Sequence, residues 1–140
     1  MGPTAPNGIP PMPNFYDDNP DLRFQISQAP LAEISTLREN GFAEAATCPY
    51  APRDAAEAIE IYHQTLRIVG EVAGDFIAPR AEDVDIEGPS LHDGTVTLAR
   101  CTRENLDRLS KADLMGFTLP RQYGGLYMPH TTYSAAIEMV

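Results

Sequence analysis

The sequence predicts an all-α fold: a helical bundle of about four main helices, with a small β-hairpin insertion and an irregular, Pro-rich N-terminal arm. Three observations predict it. Apolar residues recur every three or four positions in four stretches, which is the spacing of one buried helix face. An Asp-Gly pair lies between short alternating segments, as in a hairpin. Five of the first thirteen residues are proline, which excludes regular helix or sheet there.

The composition is that of one acidic globular domain. The chain has 140 residues and a formal net charge of −10, and this length suffices for a hydrophobic core. Negative charge disfavours nucleic acid and anionic membranes, which bind proteins through Lys and Arg. No apolar stretch approaches the roughly 20 residues that span a bilayer, no secretory signal is recognisable, and cysteines are scarce. We therefore expect a cytoplasmic protein with no nucleic-acid partner and no membrane span.

Residues 1–29 are predicted to form a Pro-rich arm and a strapping segment. The prolines lack an amide donor, so residues 1–13 are expected to be irregular. Residues 14–26 carry too many apolar side chains for a free linker, and we expect them to run in an extended conformation over the helices. These apolar side chains are Phe15, Tyr16, Leu22, Phe24 and Ile26.

The first predicted helix spans about residues 30–40. Pro30 suits a first helical position, where a missing amide hydrogen is harmless. Gly41 is predicted to end the helix as the left-handed C′ residue. The apolar face comprises Leu31, Ile34 and Leu37. Residues 43–52 are expected to be irregular, since prolines interrupt them.

The second predicted helix is the longest element, about 25 residues. Asp54 is predicted to cap its first turn, because a carboxylate accepts hydrogen bonds from free amides there. Pro79 is predicted to end it. One apolar seam runs along it, at Ile59, Tyr62, Leu66, Val69, Ala73 and Phe76. The flanking residues Ile61, Ile68 and Val72 are expected to widen the buried surface.

The remaining chain predicts a hairpin and two further helices. A turn at Asp93-Gly94 predicts the hairpin, which we expect to lie against the helices or another domain because an isolated hairpin is marginally stable. The third helix is predicted to begin at Thr102 and to end at Gly116. Its apolar stripe comprises Leu106, Leu109, Ala112 and Met115.

The last helix is predicted to begin near Thr131 or Thr132. Its apolar residues at helical spacing are Tyr133, Ala136, Ile137 and Val140. Neither glycine, proline nor a basic residue follows as a stop signal. We therefore expect the natural polypeptide to continue beyond this helix.

No residue pattern assigns catalysis or metal binding to this chain. The three histidines are scattered, and neither cysteine has the partner spacing of a zinc site. The carboxylates lie in charge runs that are typical of solvated surfaces. The Gly124-Gly125 loop has two interpretations from the residues alone: a tight connection between helices, or a place where backbone approaches a ligand closely.

The stretch DLMGFTLPRQYGGLYMPHTTYSAAIEMV resembles the N-terminal helical domain of acyl-CoA dehydrogenases. The family shows a helix ending in a short Gly motif, then P-x-x-Y-G-G-x-G, then a helix containing glutamate. Here MGF at 115–117, LPRQYGG at 119–125 and AIE at 136–138 correspond to these three pieces. Upstream, FIAPRA at 76–81 and DIEG at 85–88 are similar to the family's passage after its long helix.

The resemblance covers residues 54–140 well and the first fifty weakly, and it is closest to the longer bacterial members. One departure is Tyr127, where the family usually has glycine. Residues 30–140 thus resemble that helical domain, truncated at its C-terminal end. The family's β-domain and C-terminal helical domain, which bind FAD and carry the glutamate that removes the α-proton, are not among these 140 residues.

This resemblance implies that the complete enzyme uses FAD to oxidise the Cα–Cβ bond of an acyl-CoA thioester in fatty acid metabolism, as a homo-oligomer with its other domains. This chain would form one wall of the acyl and flavin cavity and would be inactive alone. The implied wall residues are Tyr133, Ile137 and Val140, which are otherwise interpreted as core. The implied loop near the substrate comprises Tyr123, Gly124 and Gly125. No catalytic, cofactor-binding or metal-binding residue is implied within the chain.

An alternative interpretation is a stand-alone helical interaction module without enzymatic activity. In that case the apolar seam of the second helix would self-associate or receive a partner helix. The Pro-rich arm would then recruit the partner.

Overall fold

A computed structural model describes residues 14–140; the predicted Pro-rich arm at residues 1–13 lies outside the described residues. The described chain is mostly helical with one two-stranded antiparallel sheet, which confirms the predicted all-α bundle with a hairpin insertion. The regular elements are α1 (Pro20–Gln28), α2 (Leu31–Arg38), α3 (Ala55–Glu71), α4 (Ala81–Glu87), β1 (Ser90–His92), β2 (Thr95–Thr97), α5 (Arg100–Lys111) and α6 (His130–Met139).

The core forms around α3, which packs against α2 and α6, while α1 packs against α6. The predicted seam of α3 is buried at its centre: Tyr62 and Val69 are 2% exposed and Leu66 is fully buried. Of the flanking residues, Val72 is buried but Ile68 is 47% exposed. None of the helices in residues 14–140 combines the length and apolarity needed to cross a membrane.

The extended conformation predicted for residues 14–26 is wrong, because a helix begins at Pro20. The side chain of Asn19 accepts a hydrogen bond from the Leu22 amide at 3.0 Å and caps the first turn, and Pro20 occupies a position that needs no amide hydrogen. Leu22 and Ile26 are four residues apart and both are buried in the core. Residues 20–28 therefore belong to the helical bundle.

Helix α2 lies where the sequence predicts it, but a different residue ends it. Asn40, with φ 48°, takes the C′ position that we predicted for Gly41, and Gly41 follows it with the left-handed φ that we predicted, 66°. The Gly41 amide donates to the Thr36 carbonyl at 2.9 Å, and the Asn40 amide donates to Leu37, which is the double bond of a Schellman ending. The core-facing side is also different, since Leu37 is 74% exposed while Glu39 is 2% exposed.

Helix α3 begins as predicted, but the helical path continues beyond Pro79. The Asp54 carboxylate accepts from the Glu57 amide at 2.9 Å. A π-helical turn at Val72–Ile77 and a 3₁₀ turn at Ala78–Arg80 then lead into α4. Pro79 lies in the first turn of this continuation, where its missing amide hydrogen breaks no bond. The end comes at Gly88, with φ 58°.

The hairpin forms at the predicted turn. Asp93 and Gly94 both have left-handed φ, 49° and 76°, as a two-residue type I′ turn requires. Leu91 pairs with Val96 across the two strands. All six strand residues are exposed. The expectation that the hairpin lies against the helices is therefore wrong for the described chain.

Helices α5 and α6 both begin earlier than predicted. The Arg100 amide donates to the Glu87 carboxylate at 2.9 Å, so a side chain from α4 caps α5 in place of Thr102. Helix α5 ends before Asp113, which has φ 58°, and not at Gly116. Its predicted stripe is only partly covered, since Leu106 is 42% exposed. Helix α6 begins at His130, one or two residues before the predicted start at Thr131 or Thr132.

Gly70 allows the N-terminal segment to touch α3. A Cβ there would overlap the Asn14 side chain and would lie 2.6 Å from the Tyr16 amide nitrogen. Gly70→Ala is therefore expected to lower the free energy of unfolding by ~1–3 kcal/mol, although alanine is the better helix former by about 1 kcal/mol. Urea unfolding measures the change. Gln64 is at an exposed site of α3, so the difference in unfolding free energy between Gln64→Ala and Gln64→Gly measures helix propensity alone. If Gly70→Ala stabilised the protein, the close contact at Gly70 would be contradicted.

His63 makes the stability of this N-terminal contact depend on pH. The Tyr16 hydroxyl and His63 Nδ1 are 2.6 Å apart, and burial, with the charge of Arg67, lowers the pKa of His63. The folded chain thus favours the neutral ring. Its stabilising contribution is complete above the unfolded pKa of ~6.5 and decreases as pH falls below it.

We expect the urea midpoint to decrease between pH 7.5 and 5.5, and His63→Gln to reduce this decrease. His92→Gln, on the exposed hairpin, is the matched control and should keep the wild-type pH dependence. If the urea midpoint changed equally with pH in the wild type and in His63→Gln, His63 would not be the source of the pH dependence.

Candidate functional site

An open apolar groove of about 400 Å³ lies between α6 and the segment that follows α5. This volume is within the range of small-molecule sites, roughly 300–1,000 Å³. We call it the apolar groove. Its lining residues are Val69 on α3, Leu109 on α5, Leu114, Met115, Phe117, Thr118 and Leu119 in the following segment, and Tyr133, Ala136, Ile137 and Val140.

Helix α6 presents two faces, one to the core and one to the groove. Its buried residues are Thr132, Ala135, Ala136 and Met139, and two of these are small. Because residues four and seven apart share a helix face, Tyr133, Ile137 and Val140 lie together beside that buried face. They are 38%, 58% and 54% exposed, so they are not core residues. The structure thus brings all three predicted wall residues into one groove.

The groove is suited to holding an apolar group, not to reacting with it. Among the described residues that line it, the only side-chain polar atoms besides the Met115 sulfur are the hydroxyls of Tyr133 and Thr118. No lining residue is an acid, a base or a cation, so the groove does not fit the charged diphosphate of a dinucleotide cofactor. An apolar chain that enters it would displace water from both partners.

The three loop residues predicted to lie near a substrate do not line the apolar groove. Tyr123 is 73% exposed. Gly124 and Gly125 line a separate pocket together with Arg121 and Cys48. Their effect on the groove is indirect, because Gly125 lies so close to Leu119 that a Cβ would overlap the Leu119 carbonyl. The first part of the same loop, and not the glycine pair, forms the groove wall.

A buried ion pair behind the loop is the feature that sequence reasoning missed. Arg121 contacts both oxygens of Glu39 at 2.7 Å, and their side chains are 12% and 1% exposed. Burial alone would lower the pKa of Arg121, but the hydrogen bonds and charges of Glu39 and Glu44 outweigh it and the pKa is raised. The signal in the sequence is a pair of polar residues four positions apart, Ser35 in α2 and Glu39 at its C-cap, and both are buried.

The same region holds a buried tyrosine hydroxyl without a hydrogen-bond partner. Tyr62 on α3 is 2% exposed, and its hydroxyl is unpaired among the described residues. Burial, and then the charge of Glu39, raises the pKa of Tyr62 to about 12. The phenol is therefore neutral at physiological pH. It lies behind the loop, outside the lining of the apolar groove.

Residues 14–140 contain no group of three or more His, Cys, Asp or Glu side chains that could hold a metal ion. Both cysteines are free thiols, with Cys48 half-buried and Cys101 buried. No family model, no curated protein and no solved structure matches this chain.

The two adjacent glycines are expected to differ in their effect on the groove. Gly125→Ala should lower the free energy of unfolding by ~1–3 kcal/mol and displace Leu119, because the new Cβ overlaps backbone. Gly124→Ala has open space around its Cβ and only the strain of φ 80°, about 1–2 kcal/mol. The methyl resonance of Met115, which is 62% exposed in the groove, reports the displacement. It should move in Gly125→Ala only; equal movement in both variants would contradict this assignment.

Proposed function

We propose that this chain is the N-terminal helical part of a flavin-dependent acyl-CoA dehydrogenase, and that the apolar groove is the surface against which the acyl chain lies. The observation that carries the proposal is the joint exposure of Tyr133, Ile137 and Val140 in one groove. The resemblance assigned these residues to the cavity wall. A set of large apolar side chains at the surface is typical of a site that a ligand or another domain covers.

The conformation of Tyr127 further supports the resemblance. The family usually has glycine at this position, and Tyr127 has φ 57°, in the left-handed region that glycine adopts readily. The residue type thus departs from the family pattern, while the backbone has the shape that a glycine there would favour.

In the complete enzyme FAD would accept the hydride from the β-carbon. The groove supplies neither acid nor base, so the carboxylate that removes the α-proton would come from a part of the enzyme other than this groove. The role of the groove is to hold the acyl chain and to exclude water from it. Each buried methylene is worth ~0.8 kcal/mol, which is about fourfold in affinity. The proposed enzyme is a cytoplasmic homo-oligomer that includes the family's other domains.

The alternative, a stand-alone interaction module, is less well supported. It requires the apolar seam of α3 to be available to a partner helix. Tyr62, Leu66 and Val69 are instead buried within the chain's own core. On α6, by contrast, Tyr133, Ile137 and Val140 are exposed together in the groove.

Binding of an acyl thioester to this chain tests the proposal. Octanoyl-CoA is expected to shift the Met115 methyl resonance on titration, whereas CoA without an acyl group is not. Ile137→Asp should weaken the binding of octanoyl-CoA at least about tenfold, because it places a charge in the groove. Ile137 is 58% exposed, so the fold should tolerate the change.

Ile86→Asp is the matched control, since Ile86 is 76% exposed on α4 and does not line the groove. It should leave the binding of octanoyl-CoA unchanged. Equal perturbation by CoA and octanoyl-CoA, or equal loss in both aspartate variants, would contradict an acyl site in the groove.

A further inference from the structure

Residues 117–127, which we call the groove loop, fold back on themselves beside the apolar groove. The Met128 amide donates to the Phe117 carbonyl at 2.9 Å and the Tyr127 amide donates to Leu119 at 3.0 Å, so the start and end of the loop run together. The start of the loop carries the side chains that line the groove. The shape of the groove wall therefore depends on what holds the loop closed.

Arg38, the last residue of α2, bridges the two ends of the groove loop. Its Nη2 donates to the Thr118 carbonyl at 2.8 Å and its Nε donates to the Tyr127 carbonyl at 3.1 Å. One guanidinium thus binds one carbonyl from the start of the loop and one from its end. Its planar, fixed arrangement of donors suits such a bridge, and lysine lacks it.

The next residue, Glu39, binds the middle of the same loop. Its two carboxylate oxygens accept from the two terminal nitrogens of Arg121, in a bidentate pair shielded from water. The last residue of α2 and the C-cap residue that follows it therefore contact the groove loop at its start, its middle and its end. Neither Arg38 nor Glu39 lines the apolar groove.

The contacts of Arg38 and Arg121 hold Tyr127 in a strained backbone conformation. A left-handed φ of 57° is uncommon for a residue with a bulky side chain. The Arg38 guanidinium lies 3.8 Å from the centre of the Tyr127 ring, and that of Arg121 lies 5.3 Å from it. Stacking on the ring and a hydrogen bond to the carbonyl both favour this conformation over the ordinary one.

We propose that Arg38 and Glu39 are positioning residues of the apolar groove. They hold the groove loop closed, with Tyr127 in its left-handed conformation, so that Phe117, Thr118 and Leu119 form a fixed wall. Loss of either residue releases the loop and deforms the groove without removing any atom that lines it. This role depends on the geometry of the groove alone, and it holds whether or not the groove binds an acyl thioester.

The test compares methyl resonances and amide exchange in the ligand-free chain. Arg38→Lys and Glu39→Gln are each expected to shift the Met115 and Met128 methyls, and to speed exchange of the Met128 amide at least about tenfold. Met139, buried on α6 outside the groove lining, should keep its resonance. Arg53→Lys and Glu57→Gln, in an exposed ion pair of similar geometry, are the matched controls and should change none of these signals.

Rescue by glycine separates positioning from a general loss of stability. Glycine adopts φ 57° without help, so Tyr127→Gly in the Arg38→Lys background should restore slow exchange of the Met128 amide. Where Arg38→Lys fails to fold, Tyr127→Leu gives the same information, because it removes the stacked ring and keeps a residue that is strained at positive φ. Tyr127→Leu is expected to shift Met115 and Met128 as Arg38→Lys does.

Three results would overturn the proposal. One is an unchanged Met115 resonance in Arg38→Lys and Glu39→Gln, or in Tyr127→Leu. Another is an equal shift of Met139, which indicates that the whole core has loosened. The third is absence of rescue by Tyr127→Gly. Octanoyl-CoA is absent from all these measurements, so their outcome is independent of the acyl-binding test.

Discussion

The buried face of α3 determines how the other helices of the described chain pack. Ala58 and Leu66 are fully buried, and Tyr62 and Val69 nearly so. Burying a large apolar side chain is worth about 1.5–3 kcal/mol, and few other surfaces in this chain offer several such residues in a row. Helices α2 and α6 therefore pack against this face, and the segment before α1 closes over it at Gly70.

The apolar groove is a consequence of how α6 meets that face. Two alanines and Met139 are among the residues on its buried side, and the neighbouring side carries larger apolar residues that stay partly exposed beside Val69 of α3. Apolar surface of this kind is unfavourable in water and gains free energy when something covers it. The groove thus has the properties expected of a surface that an apolar ligand or another domain covers, as the proposed acyl-CoA dehydrogenase function requires.

Polar contacts shape the loop beside the groove, in addition to the burial of Phe117 in the core. Glu39 and Arg121 are removed from water, which costs free energy that their bidentate contact offsets. Such a pair contributes little net stability but allows few alternative arrangements of the loop. Together with Arg38 it holds a backbone conformation at Tyr127 that local preferences disfavour. The lining of the groove is therefore apolar, while charged residues that do not line it hold one of its walls in place.

The helical class, the cap at Asp54, the seam of α3 and the hairpin turn could be predicted from the sequence alone. All of these depend on local spacing or on the backbone preference of one or two residues, which short stretches of sequence record. Tertiary packing sets the outward position of the hairpin, the cap that Glu87 provides for α5, and the partners of Arg38 and Glu39. These depend on atoms brought together from positions 13 to 89 residues apart, and no local pattern encodes which charged side chain another will meet.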